Sequence, residues 1–271
     1  MRVVKYKYPR FLTPSSEPFD PVELMRATEA IVCRRGPEGL ERKYTAFYAT
    51  GVYGGIATGY TVGCMLRCYY CWSELSRDFP ELYGEYLSPA QAFKRLDEAA
   101  KRFKVNKLRL SGAEPLLGVD HVLDLLEYVE SSSYKLFILE TNGISLGLDK
   151  ELAKRLAKFS KVHVRVSLKA ATPQGFQQRT GARGEFYELP FKALEHLLDA
   201  GVSFHAAAMT DPRIMPKEER RLLLEKLSGI NPRLAANLEE EDCDPYDSTL
   251  IRMAAYGLDP IEFFTGRRRE G

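Results

Sequence analysis

From about residue 88 onward, the spacing of apolar residues along the chain switches repeatedly between the period of a helix and that of a buried strand. Stretches with apolar residues at helical spacing are each followed by a short apolar run typical of a buried strand. Ser88, Pro89 and Gln91 carry the signals of a helix start, an N-cap with a capping box. The pattern predicts helices at 88–103, 119–129, 149–159, 190–200 and 216–229, and strands at 56–62, 107–110, 135–139, 162–166, 202–207 and 233–238.

This alternation indicates an α/β protein with five or six βα units. Six parallel strands are too few for a closed eight-stranded barrel, so we expect a curved, partial (β/α)6 TIM-like barrel. The barrel is expected over 47–245, with an N-terminal extension at 1–46 and a C-terminal extension at 246–271. The acidic run at 239–242 and the arginines at 267–269 are interpreted as solvated surface.

The composition restricts the class of protein but does not indicate a function. The chain has 271 residues, 45% hydrophobic and 28% charged, with a net charge of +2, so it can bury one core and carries no uniformly basic surface. Its apolar runs are too short for a signal peptide or a membrane span, and we expect a cytoplasmic protein without membrane contact. Scarce Asn and Gln beside abundant Lys, Arg and Glu are typical of thermophile proteins.

Three of the five cysteines crowd into eight residues. Cys64, Cys68 and Cys71 form a C-x3-C-x2-C spacing that lets three thiolates from one loop converge on an inorganic centre. A zinc site would need a fourth ligand, and the next histidine is His121. A [4Fe–4S] cluster suits the spacing better, since one iron then remains open. Cys33 and Cys243 are isolated and are interpreted as ordinary buried thiols.

The cysteine loop resembles the signature of the radical S-adenosylmethionine (radical SAM) superfamily, C-x3-C-x-aromatic-C, with Tyr70 at the aromatic position. The resemblance implies that the three cysteines hold a [4Fe–4S] cluster whose open iron is chelated by S-adenosylmethionine. An electron from the cluster then cleaves the sulfonium, and the resulting 5′-deoxyadenosyl radical abstracts hydrogen from a substrate. The cofactors carry the chemistry, while the protein orients them and excludes water.

Polar groups follow each predicted strand, at the edge where parallel α/β folds bind ligands. The segment Ser111, Gly112, Ala113 and Glu114, followed by Pro115, resembles the family's G-G-E-P motif, which implies that it binds the cofactor's amino group. Ala113 replaces the second glycine, and the backbone role survives if Ala113 avoids a positive φ. Thr141 and Asn142 resemble the family's T-N-G turn. An ordinary turn is the alternative for both segments.

Two further strand ends offer candidate cofactor contacts. Ser167 and Lys169 resemble a D-L-K segment of the activating-enzyme branch, which implies that Lys169 pairs with the cofactor carboxylate. An exposed lysine at the barrel rim is the alternative. His205 lies in mid-strand, where alternation permits contact with ribose or substrate or, equally, a satisfied core position. Aromatic residues near the cysteines, Tyr53, Tyr60, Tyr69 and Trp72, could exclude solvent or simply pack.

The overall resemblance is to pyruvate formate-lyase activating-enzyme-like proteins, over about 55–210. The D-G-P-G-x-R segment of true glycyl-radical activators is replaced by other residues before the cluster. We therefore expect a radical SAM enzyme with an unidentified substrate, favouring protein or peptide modification, and a reducing partner such as ferredoxin or flavodoxin. The alternatives are modification of RNA or of a nucleobase-like small molecule, for which Arg34-Arg35 and Arg220-Arg221 are candidate contacts, and a zinc- or cluster-stabilised binding protein.

Overall fold

The computed structural model describes residues 8–266, and the arginines at 267–269 lie outside that range. One sheet crosses the described part of the chain in the order β1-β2-β3-β5-β6-β7-β8-β9, with β4 paired to β2. The strands are β1 (Cys33–Gly36), β2 (Gly39–Thr50), β3 (Ile56–Thr61), β4 (Glu85–Leu87), β5 (Lys107–Gly112), β6 (Leu136–Thr141), β7 (Val162–Leu168), β8 (Ser203–Met209) and β9 (Glu239–Glu241).

The six strands from β3 through β5 to β9 run parallel, and β1, β2 and β4 add antiparallel pairs at one side. Because β1 and β9 are the two ends of the strand order, the sheet is an open, partial barrel, as the sequence predicted. The predicted boundary between residues 46 and 47 falls inside β2, which pairs with β3 along most of its length.

Helices occupy the crossovers between the parallel strands and both ends of the described chain. They are α1 (Pro21–Val32), α2 (Pro89–Phe103), α3 (Val119–Glu130), α4 (Ile144–Leu148), α5 (Lys150–Leu156), α6 (Pro173–Thr180), α7 (Leu189–Asp199), α8 (Lys217–Ile230), α9 (Pro232–Ala236), α10 (Asp247–Ala255) and α11 (Pro260–Thr265). None of those within residues 8–266 combines the length and apolarity that a bilayer crossing requires.

The main core lies between the helices and the outer face of the parallel strands. Leu108 and Leu110 of β5 and Val164 of β7 are fully buried there. Since successive side chains of a strand point to opposite faces, the intervening Arg109 and Arg165 point into the barrel. The same alternation that buries the apolar core therefore places charged groups inside the barrel.

Local sequence signals explain several element boundaries. The predicted start of α2 is confirmed, with Ser88 as the N-cap and Gln91 completing the capping box. The strand predicted at 233–238 is wrong, because α9 occupies most of that range. Asn231 caps α9 by accepting from the backbone N–H of Arg233, and Pro232 has the φ that a first helical turn requires. The sixth parallel strand is β9, which begins at Glu239.

Candidate active site

A cavity of about 830 Å³ opens at the carboxyl ends of the parallel strands. Every residue that the sequence singled out for a cofactor or metal lines it, with the exception of His205. These residues come from four separate strand ends: Cys64, Cys68, Tyr70, Cys71, Ser111, Gly112, Ala113, Glu114, Thr141, Asn142, Ser167 and Lys169. The fold thus brings the cysteine loop and the polar strand-end motifs to one place.

The cysteine loop follows β3 and is tied to its neighbours through backbone contacts. Gly63 has φ of 82°, and a Cβ there would lie 2.6 Å from Thr28 Cγ2, so this turn requires glycine. The Gly63 carbonyl accepts from the backbone N–H of Glu114 at 3.0 Å. On the far side of the loop, the backbone N–H of Arg67 donates to the Thr180 carbonyl at 2.9 Å. These bonds fix the loop against the strand end that follows β5 and against α6.

The three thiols have different electrostatic surroundings. Burial raises the pKa of the Cys64 thiol to about 12, with the negative charge of Glu114 adding to the effect, and burial also raises the pKa of Cys68. Burial opposes ionisation of Cys71 as well, but the positive charges of Arg77 and Arg252 outweigh it and lower the pKa of that thiol. The field at the loop is therefore most positive beside Cys71.

The donor set fits an iron–sulfur cluster. Cys64, Cys68 and Cys71 are free thiols facing one cavity. Within residues 8–266, no three Cys, His, Asp or Glu side chains are close enough to hold one metal ion. A cluster binds each thiolate through a different iron, so its ligands stand farther apart. Tyr70 lines the cavity, and its buried hydroxyl is one of two buried side-chain atoms in the described chain without a hydrogen-bond partner.

Glu114 joins the ends of two strands. Its buried carboxylate accepts from Thr141 Oγ1 at 2.8 Å, from the Asn142 backbone N–H at 2.8 Å and from the Leu116 backbone N–H at 3.0 Å. Burial raises the pKa of Glu114, while the bonds from Asn142 and Thr141 oppose that rise. Just before it, Gly112 takes the positive φ, 95°, while Ala113 does not. Ala113 therefore meets the condition set by the sequence analysis above, and the backbone of this motif accommodates alanine at that position.

Charged residues inside the barrel form two groups. Arg109 Nη1 lies 3.0 Å from Glu140 Oε1, and Arg165 Nη2 lies 2.8 Å from Glu239 and 2.7 Å from Glu241. All five line the cavity, so the acidic run interpreted as solvated surface contributes to its wall. The two-residue period of a strand could have revealed the two arginines as residues of the barrel interior, since Arg109 and Arg165 each alternate with fully buried apolar residues.

His205 lies outside the cavity lining. Its Nε2 is 2.7 Å from Glu239 Oε2, and its Nδ1 is 2.7 Å from His163 Nε2. It therefore reaches the cavity only through Glu239, whose pKa falls to about 2 chiefly because of the His205 hydrogen bond. Cys243, which was interpreted as an ordinary buried thiol, is buried and lines the cavity. Cys33 lies elsewhere, near the Leu117 carbonyl.

Aromatic side chains form the mouth of the cavity. Tyr48 stacks on Tyr60 with ring centroids 4.5 Å apart, and Trp72 meets Tyr60 and Tyr246 at 6.4 Å each. Trp72 and Tyr246 remain 43% and 54% exposed. Tyr69 instead packs against Tyr256, outside the cavity lining. These rings thus border the opening beside the cysteine loop, with Tyr60 buried and the other three partly exposed.

Comparison with known sequences matches the Radical SAM superfamily profile to residues 59–227. The chain belongs to the radical SAM superfamily. Enzymes of this family use a [4Fe–4S] cluster and S-adenosylmethionine, and the motifs named above all fall within the matched range. The chain is similar to a probable GTP 3′,8-cyclase of Methanococcus maripaludis, with 31% identity over 143 residues, 53% of this chain. The match spans about half of that relative, 45% of its length.

Solved radical SAM structures share the fold at low sequence identity. Streptococcus suis SuiB, in a complex with the precursor peptide SuiA, aligns with a TM-score of 0.54 and 17% identity, over 68% of this chain and 38% of its own. The enzyme anSMEcpe, with bound S-adenosylmethionine, aligns with a TM-score of 0.51 and 18% identity, over 67% of this chain and 49% of its own. At these identities the likeness shows the partial barrel alone.

Proposed function

We propose that this radical SAM enzyme holds its cluster through Cys64, Cys68 and Cys71 and abstracts hydrogen from a polypeptide substrate. The observation that carries the cofactor assignment is the convergence of three cysteines and the polar strand ends on one cavity. When bound, the cluster and S-adenosylmethionine supply the one-electron chemistry that generates the hydrogen-abstracting radical. Reduction requires an external donor, for which ferredoxin or flavodoxin is suited.

The chain's own residues orient the cofactor. The segment from Ser111 to Glu114 presents polar groups at the end of β5, and Glu114 keeps this segment aligned with Thr141 and Asn142. The buried Tyr70 hydroxyl still needs a partner, which a ligand in the cavity would provide. Lys169, in the cavity lining just after β7, offers a cation for the cofactor carboxylate. We also assign Ser167 to a cofactor contact. His205 is assigned an indirect contact, through its hydrogen bond to Glu239.

Anaerobic reconstitution tests the cofactor assignment. Iron and sulfide are added to the purified chain, followed by dithionite and S-adenosylmethionine, and 5′-deoxyadenosine is measured. We expect about four irons per chain and reductive cleavage, both lost in Cys68→Ala. Cluster formation in the Cys68→Ala variant, or an intact cluster without 5′-deoxyadenosine, would contradict the assignment.

Charge at the cavity supports a polypeptide rather than a polyphosphate. Among the described residues lining it, eight carry carboxylates and four carry cationic groups. Asp242 and Asp244 lie exposed at the rim, beside the partly exposed rings of Trp72 and Tyr246. A triphosphate would meet net repulsion there, whereas a peptide with lysine or arginine side chains would find carboxylates and aromatic faces.

A nucleobase-containing small molecule is the second candidate, supported by the similarity to probable GTP 3′,8-cyclases. RNA is less well supported, since Arg34, Arg220 and Arg221 each already contact a carboxylate. Reconstituted enzyme should be offered GTP, or peptides with and without basic residues, while 5′-deoxyadenosine formation is followed. Acceleration by basic peptides alone supports the proposal, and acceleration by GTP alone would replace it with the second candidate.

A further inference from the structure

Two buried arginines and one aspartate lie behind the cysteine loop, in a group that cofactor binding as proposed above does not use. Side chains of Arg77, Asp78 and Arg252 are 2%, 0% and 1% exposed. Arg77 pairs with Asp78 Oδ1, and Arg252 Nη2 lies 2.5 Å from Asp78 Oδ2. One carboxylate thus bridges two guanidinium groups that come from distant parts of the chain.

Both guanidinium groups also contact the backbone of the cysteine loop. Arg77 Nη1 donates to the Cys68 carbonyl at 2.7 Å. Arg252 Nη1 donates to the Cys71 carbonyl and, at 2.6 Å, to the Ser73 carbonyl. The two charges therefore stand directly behind two of the three cysteines.

The charges do not balance. Within residues 8–266, Asp78 is the one carboxylate in ion-pair contact with either arginine. Two guanidinium charges against one carboxylate leave one net positive charge, buried where water cannot screen it. Burying an arginine costs free energy of folding. Arg252 lies in helix α10, far along the sequence from Arg77.

We propose that Arg77 and Arg252 are positioning residues that raise the reduction potential of the cluster held by the loop. This inference rests on the proposed function. One electron enters the cluster from an external low-potential donor, and no bond or proton is exchanged with the arginines. The reduced cluster carries one more negative charge, so a fixed positive charge nearby stabilises it relative to the oxidised form.

The test is the midpoint potential of the reconstituted chain, measured by a redox titration with dithionite and followed by electron paramagnetic resonance. Arg252→Gln keeps hydrogen-bond donors but removes the charge, and we expect a more negative potential. Arg252→Lys keeps the charge, and we expect a potential close to that of the parent protein. Asp78→Asn raises the net charge, and we expect a less negative potential. Arg95→Gln, at an exposed ion pair with Glu85, is the matched surface control.

Opposite shifts in Arg252→Gln and Asp78→Asn, with the control unchanged, support the inference. Equal potentials in Arg252→Gln and Arg252→Lys would overturn it and leave the arginine as a mechanical clamp on the loop. If either Arg252 variant fails to fold, the pair Arg77→Gln and Arg77→Lys decides by the same comparison. Absence of a cluster in the parent protein would instead contradict the proposed function.

Discussion

Glu114 Oε2 accepts the backbone N–H of Asn142 at 2.8 Å and so links the ends of β5 and β6 beside the cysteine loop. The same carboxylate accepts Thr141 Oγ1 and the backbone N–H of Leu116. A single acidic side chain therefore holds the two strand-end motifs in register. Because the carboxylate is buried, its removal leaves these donors without water as a substitute.

We expect Glu114→Ala to lower the free energy of unfolding by about 3 kcal/mol, since buried donors lose their acceptor. It should also weaken the binding of S-adenosylmethionine to the reconstituted protein by at least tenfold. Urea denaturation and equilibrium dialysis measure the two effects. Glu151→Gln, on the exposed face of α5, is the control, and equal behaviour of the two variants would contradict the linking role of Glu114.

Cysteine variants should separate three ligands from two bystanders. Alanine at Cys64, Cys68 or Cys71 should reduce the iron content far below the expected value of about four per chain. Cys243→Ser and Cys33→Ser should retain it, although Cys243 lines the same cavity. Iron and acid-labile sulfide analysis gives the answer. Loss of iron in Cys243→Ser but not in Cys33→Ser would identify Cys243 as a fourth ligand.

Sequence patterns predicted the five parallel strands β3, β5, β6, β7 and β8 because each has a local signature. In β5, Leu108 and Leu110 alternate with Arg109, and β7 repeats the pattern around Arg165. The strand-end motifs also came from local sequence, and the structure places them together because parallel strands end at one edge. This part of the site required only periodicity and the direction of the strands.

Features that depend on distant partners were not predicted. Glutamates have little intrinsic preference for strands, and β9 is stabilised where Arg165 of β7 meets Glu239 and Glu241. The bond from Arg252 to the Cys71 carbonyl spans 181 residues of sequence. Neither position carries a local signal, since an acidic run or a lone arginine in a helix is usually solvated surface.

Trp72 is the single tryptophan of the chain and directly follows Cys71. Its ring borders the cavity and is 43% exposed. We expect tryptophan fluorescence to fall when the cluster is reconstituted, and to change again on adding S-adenosylmethionine. Cys68→Ala treated in the same way should keep its emission. Quenching of equal size in that variant would show that added iron, rather than the bound cluster, causes the effect.

His121 should make stability depend on pH. It is buried, with Nε2 2.8 Å from the Tyr44 hydroxyl and Nδ1 2.8 Å from the Leu40 carbonyl. Burial lowers the pKa of His121 from 6.5 to about 4. Above pH 6.5 the imidazole is neutral in both the folded and the unfolded states. Between pH 6.5 and 4 the unfolded chain binds a proton that the folded chain does not, so the free energy of unfolding falls by about 3 kcal/mol.

The variant His121→Gln isolates this contribution. Its amide can donate to the Leu40 carbonyl and accept from Tyr44, but it does not titrate. Urea unfolding of both proteins should be compared from pH 7 to pH 4.5, because the other ionisable groups are common to the two chains. We expect the parent protein to lose stability more steeply than the variant as the pH falls below 6.5. Parallel curves would contradict the prediction, since they would mean that the folded and the unfolded chains bind the His121 proton with the same pKa.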